Sequence, residues 1–299
     1  NVNFNTSGVD LANDATTTIN TGTGAGTVTF QGAIETDGGN DDSLTVTSGT
    51  GNVTFTGSIG ASNSLGDLSV NASSGAGTIE ITNIGTSSAA GVTGATAIGN
   101  TNTGTLTLDG TVYTTNAATY TAATGGGNID ITGAATFTTS AAAVEFATSD
   151  VDLGANVAIT TGTGANVGNV SFDGAIEAAN AGTQTLTIDS GAGDVTFSKK
   201  IGETNALGGL NVNASTDDGD GDITFTEDIG DASAGVKGTT AVGNSATNQI
   251  RFLEDTYTFD TGTTTFTTAD GDKIVLEKGS DTTFTTVSTD ISFAGGHIK

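Results

Sequence analysis

Residues 30 to 35 read FQGAIE, and residues 172 to 177 read FDGAIE, so one short phrase recurs in the second half of the chain. The likeness continues, because LGDLSVNAS from Leu65 returns as LGGLNVNAS from Leu207 at the same offset. Self-similarity at a fixed period is typical of repeat architectures. The sequence therefore predicts a first copy over residues 1–142, a second over residues 143–289, and the start of a third over residues 290–299.

Within each copy, a shorter period separates triplets in which two apolar residues flank a polar one. VTF at Val28, VTF at Val53 and IEI at Ile79 recur at intervals of about 25 residues, a length that suits a stacked repeat. Such alternation is typical of strands, and the Gly, Asn and Asp residues between the triplets favour turns. Rungs that repeat in this way can stack at about 4.8 Å and bury the same inward positions. We therefore predict an all-β parallel β-solenoid (β-helix) of ~25-residue rungs, with Val28 and Phe30 pointing inward.

An alternative fold is two tandem β-sandwich domains, because short alternating strands and Gly-rich turns are also typical of sandwiches. The nesting of a short period inside a long one favours the solenoid, since a sandwich does not require its strands to resemble one another. The rhythm is weakest from about residue 106 to residue 140. We expect an irregular rung or a bulge there, and an exposed Tyr113 or Tyr120 in it would favour a binding function.

The charge of the chain limits its partners. There are 33 Asp and Glu residues against 7 Lys and Arg, for a formal net charge of -26. Binding to nucleic acid or to an anionic membrane needs a basic surface, so neither is expected. No apolar run approaches the roughly 20 residues of a membrane span, which predicts no membrane insertion. The first cation is Lys199, and the uneven distribution suggests that the second copy contacts the acidic first copy of another molecule.

Two phrases of the repeat resemble a known group of proteins. They are (V/I)-x-F-x-x-x-I-G and L-G-x-L-x-V-x-A-S, as in VTFTGSIG from Val53 and LGDLSVNAS from Leu65. This pattern resembles the repeat regions of giant bacterial β-strand-repeat surface proteins and filamentous-haemagglutinin-like adhesins. The resemblance implies a parallel β-solenoid exported to the cell surface, with a stalk, fibre or adhesive role. It implies no catalytic residue.

Alternating carboxylates and glycines before the triplet at Ile223 suggest one metal site. Asp218, Asp220 and Asp222 would converge on a single hard cation if this loop curls, which predicts calcium as the only cofactor; the alternative is a solvated acidic turn without a cofactor. A second acidic group lies in another Gly-rich turn and is a weaker calcium candidate: Asp37, Asp41 and Asp42.

The sequence predicts that the chain is not an enzyme, because His297 is its only histidine and no nucleophile is placed beside a base. We expect an extracellular or cell-surface structural protein that forms a fibre, stalk or sheath by head-to-tail stacking. Residues 1–10 and 290–299 are versions of one segment, so we expect the chain to be either a window of a longer array or a protomer that stacks end to end. The alternative is an adhesin that binds surface carbohydrate or another host surface. A minor alternative is ice binding by outward Thr-x-Thr pairs such as Thr27 and Thr29.

Overall fold

A computed structural model describes residues 1–12, 15–38, 42–71, 75–162, 168–213, 221–231, 233, 235–279 and 281–299. These residues form strands, single bridges and turns, and they contain no helix that could cross a membrane. The chain divides into two compact units. Unit 1 comprises Asn1–Thr139 and Glu145–Asp150, and unit 2 comprises Ser140–Val144 and Val151–Lys299.

Unit 1 is a parallel β-solenoid in which each turn contributes one segment to each of three sheets. Sheet 1a contains β1 (Val2–Phe4), β4 (Val28–Phe30), β7 (Val53–Phe55), β9 (Ile79–Ile81), β11 (Leu106–Leu108) and β14 (Ile129–Ile131). Sheet 1b contains β2 (Val9–Leu11), β5 (Ile34–Thr36), single bridges at Ile59 and Ile84, β12 (Val112–Thr114) and β15 (Thr136–Thr138). Sheet 1c contains β3 (Thr16–Asn20), β6 (Ser43–Thr47), β8 (Leu68–Val70), β10 (Thr96–Ile98) and β13 (Ala118–Thr121). The next strand is β16 (Val144–Ala147), whose last three residues belong to this unit.

Unit 2 has the same construction. Sheet 2a contains β17 (Val151–Leu153), β20 (Ile176–Ala178), single bridges at Ile201 and Ile229, β27 (Thr256–Thr258) and β30 (Thr283–Thr285). Sheet 2b contains β18 (Val157–Gly162), β21 (Thr185–Ser190), β23 (Gly209–Val212), β25 (Thr240–Val242), β28 (Thr264–Thr267) and β31 (Ile291–Ala294). Sheet 2c contains β19 (Val170–Phe172), β22 (Val195–Phe197), β24 (Asp222–Phe225), β26 (Gln249–Phe252), β29 (Lys273–Leu276) and β32 (His297–Ile298).

The strand register confirms the predicted solenoid and its spacing. Val2 pairs with Val28, and Val28 pairs with Val53, so the turns have the length that the short sequence period predicts. In unit 2, Ile250 pairs with Ile274 in a turn of similar length. The alternative of two tandem sandwiches is wrong, because the strands of the described residues pair in parallel with strands one turn away. A sandwich instead pairs antiparallel strands within two facing sheets.

The core is a set of side-chain stacks that run from turn to turn. Phe4 and Phe30 have ring centroids 4.7 Å apart, and Phe30 and Phe55 have centroids 4.9 Å apart, with interplanar angles of 5° in both pairs. In-register parallel pairing places equivalent side chains directly above one another, which produces this offset stacking. Val28 and Phe30 are buried as predicted, while Thr29 between them is turned outward. Each turn therefore helps to bury the apolar residues of the turns next to it.

The long sequence repeat and the structural turn are out of phase. Phe4 lies in sheet 1a, but its equivalent in copy two, Phe146, stacks on Tyr120 of sheet 1c, with ring centroids 5.4 Å apart. Phe172 of copy two, which is equivalent to Phe30 of sheet 1a, lies in sheet 2c. Phe293 from the start of copy three, which is equivalent to Phe146, pairs within sheet 2b. Each later copy therefore begins one sheet earlier in the cyclic order a, b, c. The described residues of copy one contain fifteen strands and the two single bridges of sheet 1b, which is one segment short of six three-segment turns.

The expectation of an irregular rung between residues 106 and 140 is wrong. Strands β11 to β15 continue the three-sheet pattern, and Tyr113 and Tyr120 are both 0 % exposed. The Tyr113 hydroxyl donates to the Ile81 carbonyl oxygen at 2.9 Å and accepts from the Gly110 N–H at 2.9 Å. The Tyr120 hydroxyl is buried without a hydrogen-bond partner among the described residues. Burial raises the pKa of both tyrosines, so they are neutral core side chains.

These two tyrosines predict opposite effects of losing a hydroxyl. Tyr120→Phe removes an unpaired buried polar group, so we expect it to raise the free energy of unfolding by about 1 kcal/mol. Phe266 of β28 occupies the position equivalent to Tyr120 in copy two, where phenylalanine is accepted. Tyr113→Phe leaves the Ile81 carbonyl and the Gly110 N–H without their partner, so we expect a loss of about 1 kcal/mol. Urea unfolding of the two variants would contradict this assignment if both changes had the same sign.

Candidate functional site

The predicted calcium loop is only partly within the described residues. Asp218 and Asp220 lie outside them, while Asp222 is the first residue of β24. The backbone N–H of Asp222 donates to Asp194 Oδ1 at 2.9 Å, and Asp222 Oδ1 accepts from Asn248 Nδ2 at 2.6 Å. Partial burial raises the pKa of Asp222. This carboxylate therefore already has a structural partner, and the calcium site at Asp218, Asp220 and Asp222 stays a prediction.

Asp194 belongs to a set of capping side chains that join successive turns. Each is an Asn or Asp at the corner before a strand, and its Oδ1 accepts the N–H of the equivalent corner one turn later. In unit 1, Asn52 accepts from Thr78 at 3.1 Å. In unit 2, Asn169 accepts from Asp194 at 3.0 Å. Asn and Asp are interchangeable in this role, so part of the acidity of the chain is structural.

Three carboxylates that sequence reasoning missed meet at one corner of unit 2. Asp228, Glu254 and Asp255 each place an oxygen within 4.8 Å of the others. Asp228 Oδ1 accepts from the Thr256 N–H at 3.1 Å, and the Lys278 ammonium is bonded to Glu254 Oε2. Burial raises the pKa of Asp228, although the Thr256 hydrogen bond lowers it. The only sequence signal for this group is that Asp228 and Glu254 lie about one turn apart along the chain.

Most of the basic residues of unit 2 are held in ion pairs. Lys199 pairs with Glu227 at 2.7 Å, and Lys200 pairs with Glu203 at 2.6 Å. The other pairs join Arg251 to Glu277 at 2.6 Å and Lys278 to Glu254. Four of the seven basic side chains thus neutralise carboxylates of their own unit. These exposed pairs contribute little stability each, but they weaken the charge argument for the predicted contact between basic and acidic copies.

Both units are in fact acidic. Unit 1 contains 12 Asp and Glu and no Lys, Arg or His, whereas unit 2 contains 21 Asp and Glu, 7 Lys and Arg, and one His. The basic residues thus reduce the excess negative charge of unit 2 without reversing it. Neither unit has a net positive charge, and the predicted contact between the basic residues of one molecule and the acidic first copy of another stays a prediction.

A shallow polar groove lies on the surface of unit 1. Its volume is about 390 Å³, and its lining contains small and polar residues without a carboxylate, a basic group or an aromatic ring: Gly99, Asn100, Thr101, Asn102, Thr121, Ala147 and Thr148. Asn100 Oδ1 already accepts from the Asn102 N–H at 2.7 Å. This lining provides hydrogen-bonding groups but no acid or base for catalysis. His297 lies elsewhere, at an exposed position of β32.

Comparison with protein-family models, curated proteins and solved structures finds no match to this chain. The resemblance to bacterial surface-repeat proteins and adhesins therefore stays a prediction from the quoted phrases alone.

Proposed function

We propose that this chain is an extracellular structural repeat protein, a component of a surface fibre, stalk or sheath, and that it assembles by head-to-tail stacking of solenoid turns. The observation that carries the proposal is the use of the apolar side chains. These side chains are buried in stacks that join each turn to the next, such as Phe30 on Phe55 and Phe197 on Phe225. The outward positions are mainly Thr, Ser, Asn and carboxylates, which suits a soluble, chemically inert surface.

The stacking mode is supported by the first turn of unit 1 and the last turn of unit 2. Strands β1 and β3 each pair on one side only, and so do β31 and β32. Val2 and Phe4 are half-buried, whereas Val28 and Phe30, one turn further in, are 0 % and 1 % exposed. At the other end, the inward-facing Ile298 is 56 % exposed. Such edges present backbone groups and an apolar seam that a further solenoid turn can cover, and in the proposed assembly another copy of the chain supplies that turn.

Electron microscopy and sedimentation of matched variants test this proposal. Ile298→Asp places a charge on the open apolar seam, and we expect it to abolish filaments of the purified chain. Ser292→Asp adds the same charge at an outward position of β31, and filaments should persist. A wild-type chain that stays monodisperse at increasing concentration, or filaments unaffected by Ile298→Asp, would contradict head-to-tail stacking.

The adhesin alternative rests on the polar groove of unit 1, whose Asn and Thr side chains can hydrogen-bond a carbohydrate. Burial of Tyr113 and Tyr120 removes the aromatic surfaces that would have favoured it. Ice binding gains no support, because the outward positions of sheet 1a form no regular threonine array; they are Asn3, Thr29, Thr54, Glu80, Thr107 and Asp130. Binding to a glycan array at the groove would favour the adhesin over the structural protein.

A further inference from the structure

Asp42 is a buried carboxylate whose charge unit 1 does not balance. Its side chain is 0 % exposed, at the corner that leads into β6. Oδ1 accepts from the Ala15 N–H at 3.1 Å, while Oδ2 has no hydrogen-bond partner among the described residues. A buried charge without a partner is strongly unfavourable. Since unit 1 contains no Lys, Arg or His, no side chain of this unit can supply the opposite charge.

Copy two shows how the same position is satisfied without a charge. Gln184 is the residue equivalent to Asp42. The backbone carbonyl oxygen of Asp42 accepts a hydrogen bond from the Gly66 N–H at 2.7 Å. The backbone carbonyl oxygen of Gln184 accepts the equivalent bond from the Gly208 N–H, also at 2.7 Å. The Gln184 amide nitrogen donates to the carbonyl oxygen of Gly154 at 3.3 Å. Copy two therefore places a donor where copy one has only a carboxylate oxygen.

We propose that Asp42 Oδ2 is a ligand of a bound calcium ion, which takes the place of the N–H donor of Gln184. Carboxylate and carbonyl oxygens are the ligands that calcium prefers, and the residue of copy one equivalent to Gly154 is Ala12, whose carbonyl oxygen is the expected second ligand. The carboxylates of unit 1, without a basic side chain among them, also raise the local concentration of divalent cations. The ion would join the first two turns of unit 1.

The proposal is tested by adding calcium to the full chain after chelator treatment. Thermal unfolding measures the change in unfolding temperature, and titration calorimetry measures calcium binding. We expect the unfolding temperature of wild-type protein to rise by about 5 °C at calcium concentrations about 100-fold above the dissociation constant. Asp42→Gln installs the copy-two residue, and should unfold at or above the chelated wild-type temperature with no response to calcium. Asp42→Asn is a second variant that should also lose the response.

Asp222→Asn and Asp228→Asn separate this site from the other acidic groups. Both variants should keep the calcium response of the wild type. The proposal is overturned if calcium leaves the wild type unchanged, if Asp42→Gln responds as the wild type does, or if the response disappears in Asp222→Asn or Asp228→Asn and persists in Asp42→Gln.

Discussion

Replacing Phe225 with alanine is expected to lower the free energy of unfolding by about 3 to 5 kcal/mol. Phe225 is 0 % exposed and lies between Phe197 and Phe252, with ring centroids 5.1 and 5.3 Å away. Alanine would open a cavity in the stack that neighbouring turns cannot close without shifting their strands. Urea unfolding followed by circular dichroism measures the loss.

The neighbouring outward residue provides the control for Phe225. Thr224→Ala, on the same strand, should change the free energy of unfolding by less than about 0.5 kcal/mol, because Thr224 faces outward. Phe225→Ile installs the residue that copy one has at the equivalent position, Ile81, and should cost less than alanine. Similar losses for Thr224→Ala and Phe225→Ala would contradict the assignment of stability to the inner stacks.

Gly77→Ala is expected to destabilise unit 1 by about 3 kcal/mol or to prevent its folding. A Cβ at Gly77 would overlap the carbonyl oxygen and carbon of Gly51, one turn earlier. These atoms are backbone, so relief requires moving one turn away from the next, and strand pairing in the adjacent sheets would be disturbed. Thermal and urea unfolding of the variant measure the effect.

Gly126 is the matched control for Gly77. A Cβ at Gly126 meets nothing within 4 Å, and its φ does not lie in the left-handed region. Gly126→Ala should therefore stay within about 0.5 kcal/mol of the wild type, and the reduced freedom of the unfolded chain favours a small gain. If Gly77→Ala were equally well tolerated, close contact between glycines of successive turns would not limit the fold.

Most inward residues could be predicted from the sequence, because a strand with two inward residues has the local pattern apolar-x-apolar. The inward residues between 106 and 140 are not all marked by such triplets, for a physical reason. The middle residue of β12, Tyr113, and the middle residue of β15, Phe137, are large buried aromatic residues. Neither strand has the apolar-x-apolar triplet. A single inward tyrosine between small or β-branched neighbours is indistinguishable, by pattern, from an exposed one.

The charged groups were harder to predict than the core. Asp228, Glu254 and Asp255 meet because residues about one turn apart lie at the same corner, and the distance between them in sequence hides the group. Asp42 was recognised as one member of an acidic turn, but only the structure places it 0 % exposed, with one oxygen that has no partner among the described residues. Burial depends on what the neighbouring turns cover, and no local pattern records this.

The sequence by itself determined the long repeat, the shorter period of the turns within it, and the inward positions such as Val28 and Phe30. Those properties follow from side-chain alternation, which each strand carries locally. Only the tertiary structure decided that three sheets surround the core, and hence that a copy ends one segment short of six turns. The number of sheets depends on the angles at the corners, where the chain bends from one sheet into the next. Equivalent residues such as Phe4 and Phe146 therefore lie in different sheets although their sequences match.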